Sequence, residues 1–128
     1  MPISHTLDQT RGQMRTTVTG PVTADEILTH FETARREQAL TYAELIDARG
    51  ATEPIISVAE VWRVASAVRK SQVGQNLGRR AVIVTNDAAF GMTRMFAALV
   101  SDSFPMNVFR DQKEAEKWLS ESPAEDAG

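Results

Sequence analysis

The chain has few residue types with which to do chemistry: two histidines, no cysteine, and fourteen cations against seventeen carboxylates. Without cysteine it has no disulfide, no thiolate metal site and no thiol nucleophile. His5 and His30 are far apart in sequence, and neither has a second histidine at a spacing such as H-x-x-x-H. A metal or acid–base role is therefore not expected of either. NLGRR and DARGATE each contain one glycine, and neither matches a phosphate-cradling loop. There is no G-x-S-x-G turn, and the carboxylates are spread along the chain. The expectation is a non-enzymatic protein without a cofactor or metal.

What remains are groups at the ends of elements. Ser57, with Glu60 three residues on, reads as a capping box that opens a helix. The alternative use of Ser57 is as a phosphorylation switch, since a phosphate is favoured at a helix N-terminus. Asp47 and Arg49 close one strand, and Thr85, Asn86 and Asp87 close another. Ligands favour the crevice outside the carboxyl ends of parallel strands, so a pocket shared by these two loops is the expected site. Arg63, Arg69, Lys70, Arg79 and Arg80 make the middle of the chain basic and read as a solvated face. The net charge of −3 speaks against nucleic acid as a partner.

The elements that must hold these groups follow from periodicity. ISHTLDQ and GQMRTTVTG read as a hairpin turning at Arg11-Gly12, with Met14, Thr16 and Val18 on one side of the second strand. Thr23 and Glu26 form a first capping box, for a helix that buries Ile27, Leu28, Phe31 and Ala34. YAELIDAR is a third strand. Residues 57–70 form a helix with Val58, Val61, Trp62, Ala65 and Val68 on its apolar face. RRAVIVTN reads as a strand covered on both faces. Asn86 or Asp87 caps the helix of residues 87–102, MNVFR is a short last strand, and DQKEAEKWL is the final helix. In the third helix Ala88, Met92, Met95, Phe96 and Leu99 fall on the core side. Gly91 implies a close neighbour, and Phe90 and Arg94 form a boundary face open to a ligand or partner.

The order is β-β-α-β-α-β-α-β-α, an α/β domain over residues 1–120 with a mixed sheet and helices mainly on one face. An acidic tail, 121–128, is expected to be disordered. No segment reads as a signal peptide or a transmembrane span, and a cytoplasmic location is expected. With TVTGPVTADEI, LIDAR, GRRAVIVTNDAAFGMTRMF and VFRDQKEAEKWL in this order, the chain resembles the bacterial SpoIIAA-like proteins, also described as STAS/SEC14-like domains. The STAS side of that resemblance implies a regulatory module that binds a protein partner, with a switch serine after the third strand. Here Asp47 stands at the strand end, and Ser57 follows ten residues later in a longer loop. The SEC14-like side implies a lipid or other small apolar ligand.

The expected function is therefore protein–protein binding, with a homodimer as one form. The alternative is carriage of a small apolar ligand between sheet and helices, suggested by Phe90, Met92, Met95, Phe96 and Leu99.

Overall fold

A computed structural model describes residues 2–54, 56–71 and 77–121. The tail expected to be disordered lies almost wholly outside these residues, as does most of the polar link before Leu77. The elements are β1 (Ile3–Asp8), β2 (Gln13–Gly20), α1 (Ala24–Arg36), β3 (Ala43–Ala51), α2 (Val58–Ser71), β4 (Arg80–Ile83), α3 (Asp87–Leu99), β5 (Met106–Phe109) and α4 (Gln112–Ser120).

Strand order in the five-stranded sheet equals chain order, β1-β2-β3-β4-β5. β1 pairs antiparallel with β2, joined by a turn in which Gly12 takes φ +62°, a conformation glycine adopts without strain. The remaining pairs are parallel. Each parallel step advances in the same direction across the sheet, so three right-handed crossovers must put α1, α2 and α3 on the same face. α4 follows the last strand and folds onto the other face against Leu45, Ala81 and Ile83. The mixed sheet with helices mainly on one face is as expected.

Side-chain alternation divides the two faces. Met14, Thr16 and Val18 of β2 are all buried, while Arg15, Thr17 and Thr19 are exposed. β4 is buried at every residue, as a strand covered on both faces must be. Thr23 and Glu26 form the reciprocal capping box at α1, and Asn86 caps α3 through the Ala89 N–H.

Three local expectations are corrected. In α2, Val58 and Trp62 are 50% and 55% exposed, and Val64 joins Val61, Ala65 and Val68 in the core. Val58 lies about 60° and Trp62 about 100° around the helix from Val61, on the flank beyond the stripe that meets the sheet. In α3, Ala88 is exposed, while Met92, Met95 and Leu99 pack around the buried Phe96. Arg79 and Arg80 are buried, not solvated: Arg80 lies inward on β4, and Arg79, just before that strand, packs against Trp118 of α4.

Gly91 also departs from expectation, since a Cβ built there meets nothing within 4 Å. No close contact demands glycine at this exposed helical position. Gly91→Ala is expected to stabilise the fold by about 0.5–1 kcal/mol through helix propensity. Chemical denaturation checks this, and a loss of stability would mean that an unseen contact needs the glycine. By contrast Val64→Ala, in the packed stripe of α2, is expected to lose about 1–3 kcal/mol, while Trp62→Ala stays within about 0.5 kcal/mol of the parent.

Candidate functional site

Inward alternation carries Thr16 of β2, Glu44 of β3 and Arg80 of β4 to the same side of the sheet, where apolar residues are the rule. Glu44 and Arg80 are each 1% exposed. α1 supplies His30 from above. Glu44 Oε2 accepts from the Thr16 hydroxyl at 2.6 Å and lies 2.7 Å from His30 Nε2. A carboxylate only accepts, so Nε2 carries the proton in that contact. Glu44 Oε1 faces Arg80 Nε at 3.3 Å, within ion-pair range. The angle there is too poor for a hydrogen bond, and Nε is left without a hydrogen-bond partner.

The rest of the guanidinium is held by backbone. Arg80 Nη1 donates to Gly78 O at 2.6 Å and Nη2 to Leu40 O at 3.1 Å. Gly78 itself cannot bear a side chain, because a Cβ would lie 2.3 Å from Tyr42 O. Phe104 lies under the guanidinium, 5.4 Å from its ring centre. Burial pushes the Glu44 carboxyl up, but the His30 hydrogen bond, the Arg80 charge and the Thr16 hydroxyl outweigh it. The group therefore lies below the usual carboxylate range. Burial lowers Arg80 from its ordinary value, and Glu44 opposes that shift.

This cluster is part of the lining of a cavity of about 170 Å³ between the sheet and α1–α3. The sheet contributes Val18, Ile46, Ala48 and Val82 beside the polar residues. The helices and the loop before α2 contribute Ile27, Phe31, Ile56, Val61, Val64, Met92, Thr93 and Phe96. On its outer side His30 meets the His5 ring edge-on at 5.4 Å, and His5 Nε2 lies 2.6 Å from Glu37. Neither histidine is thus without a carboxylate, although neither has one at metal spacing in the sequence. Among the described residues no group of three or more His, Cys, Asp or Glu could hold a metal ion.

The groups singled out from the sequence lie elsewhere. Asp47 and Arg49 form a two-pronged ion pair at 2.9 and 2.8 Å, and Arg49 also donates to Gln112 of α4 at 3.1 Å. The Arg49 side chain holds Asp47 below the ordinary carboxylate value. Thr85 O accepts from Arg110 at 3.3 Å, and Arg110 also pairs with Asp87 at 2.6 Å and stacks on Phe90 at 4.5 Å. Asp47 and Arg49 lie inside β3 rather than in a loop at its end. Arg49 and the residues after β4 reach the same β5–α4 turn, but no hydrogen bond or ion pair joins them directly among the described residues. Asn86 is occupied as a cap. Ser57 and Glu60 make the reciprocal capping contacts, at 2.9 and 3.2 Å. Arg94 is exposed, as is Gly91.

Glu44, Arg80, His30 and Thr16 were not identified together from the sequence. The available signal was parity: Glu44 shares its side of β3 with Ile46, and Arg80 shares its side of β4 with Val82. A charged residue on the apolar side of a central strand needs a partner there.

Glu44→Ala strands Arg80 as an unneutralised buried charge and is expected to cost about 3–5 kcal/mol. The double change Glu44→Leu with Arg80→Met is expected to cost less than the sum of the singles, which a double-mutant cycle reads directly. Because folding lowers the Glu44 value, its contribution is full above the unfolded value of 4.5 and is lost as pH falls through the folded one. Acid titration of stability is expected to show a shallower decline below about pH 4.5 in Glu44→Gln than in the parent. Equal slopes would contradict an ionised Glu44.

No protein-family model matches the chain, and no curated protein does. A solved structure from Shewanella loihica, described as an uncharacterized protein from DUF3478 family with a SpoIIAA-like fold, is similar to it with a TM-score of 0.58. Sequence identity is 16%, and the likeness covers 91% of this chain and 93% of that one. Parallel strands in chain order, an antiparallel first edge and helices mainly on one face are the architecture of this chain, and its fold is the SpoIIAA-like fold.

Proposed function

We propose that the protein is a non-catalytic binding module that holds a small apolar molecule between its sheet and α1–α3. The observation that carries this reading is the cavity of about 170 Å³, lined by branched, aromatic and thioether side chains with a few polar groups at its floor. An engineered cavity of roughly 150 Å³ takes up benzene, so this space is of a size to hold one ring. Met92 and Phe96 are pliable wall residues, in keeping with the ligand reading of the third helix. Catalysis has little support in the cluster, because Glu44 and His30 are engaged with one another and Glu44 also holds Arg80.

A second reading has its own observation. Val58 and Trp62 are exposed on one flank of α2, next to the capped Ser57. A solvent-facing tryptophan is a frequent anchor in protein contacts, including homodimers. A phosphate on Ser57 would alter the charge beside that flank.

Native mass spectrometry of freshly purified protein, with thermal shifts across a panel of small hydrophobic molecules, tests the first reading. A retained mass or a saturable rise in melting temperature is expected, and Ile27→Trp should abolish it while circular dichroism stays native. No retained mass and no shift would sink the reading. For the second, sedimentation over a range of concentrations should detect self-association that Trp62→Ala removes. A monomer at every concentration excludes the homodimer.

A further inference from the structure

We propose that the cavity selects a neutral, ring-sized molecule bearing one hydroxyl, with that hydroxyl seated between Glu44 Oε1 and Arg80 Nε. This rests on the binding reading above and names its ligand class.

Charge sets the first limit. Glu44 and Arg80 are both buried and neutralise each other at 3.3 Å. Both terminal nitrogens of Arg80 already donate to backbone carbonyls, of Gly78 and Leu40. A ligand carboxylate would find no free guanidinium fork and would meet the buried Glu44 charge. A ligand ammonium would meet Arg80. Either ion would be desolvated without a counterion of its own, which is a heavy cost.

Hydrogen-bonding capacity sets the second. Glu44 Oε2 is engaged twice, by Thr16 and His30, whereas Oε1 has only the badly angled Arg80 Nε. That Nε is the buried side-chain polar atom left without a hydrogen-bond partner among the described residues. An unused donor and an underused acceptor thus stand side by side. A hydroxyl is both acceptor and donor. Placed between them, it accepts from Nε–H and donates to Oε1, opening the contact by the width of one oxygen. An ether or ketone completes only the first bond, and a hydrocarbon neither. The volume, close to that of the benzene-binding cavity, sets the size at one ring with small substituents.

Three probes of one shape separate the possibilities: p-cresol, toluene and p-toluate. p-Cresol is neutral at pH 7, since a phenol titrates near pH 10. Isothermal titration of the full chain at pH 7 is expected to rank p-cresol first, at least roughly tenfold tighter than toluene, with p-toluate weakest. Equal affinity for p-cresol and toluene would overturn the hydroxyl seat and leave the apolar cavity standing. Tightest binding by p-toluate would overturn charge exclusion and make Arg80 an anion site. If none of the three binds, this inference falls together with the binding reading.

Discussion

The Glu44–Arg80 ion pair is the constraint on which the rest of this structure depends. Both charges lie on the apolar side of central strands, and neither is tolerable there alone. Their neutralisation requires β3 and β4 to pair in one register, with Glu44 opposite Arg80. A slip of one residue would send every side chain of β4 to the opposite face. The guanidinium in turn needs the carbonyls of Leu40 and Gly78, so it fastens the end of the α1–β3 connection to the start of β4. Gly78 lies so close to the Tyr42 backbone that a Cβ there would come within 2.3 Å of the Tyr42 carbonyl oxygen.

The cavity is a consequence of this arrangement. Thr16, Glu44 and Arg80 occupy inward positions that branched apolar residues would otherwise fill, and they meet one another laterally along the sheet. His30 is the one polar group that α1 lowers onto the cluster. The helix layer rests on Val61, Val64 and Phe96 around the space that remains. The pair therefore sets both the register of the sheet and the polarity of the cavity floor. Buried ion pairs are often no more stabilising than apolar substitutes, so specificity of pairing is the better account of this one.

The architecture was legible because its signals are local. Capping boxes at Thr23 and Ser57, the continuous apolar strand AVIV and the alternation of Met14, Thr16 and Val18 each depend on a few adjacent residues. The candidate site was not legible in the same way. Its members come from β2, α1, β3 and β4, and no spacing within the chain relates them. Charge type misdirected the reading of Arg79 and Arg80: runs of arginine are usually solvated, but this one begins a strand covered on both faces. The apolar stripe of α2 was misplaced because Val58 and Trp62 suit a helical face by type, while the sheet meets the flank that carries Val64. Thr85 and Asn86 do follow the end of β4, but Asp47 and Arg49 lie inside β3, which runs on to Ala51, and all four are engaged in local pairing and capping.

The central claim is that an apolar space persists under α1–α3 and admits a guest. A crystal structure under xenon pressure tests it most directly, because xenon binds in apolar spaces without needing a polar contact. The account predicts a xenon peak among Ile27, Phe31, Val64 and Phe96, with Glu44 and Arg80 still paired beneath it. Helices packed down onto the sheet with no xenon between them would contradict it.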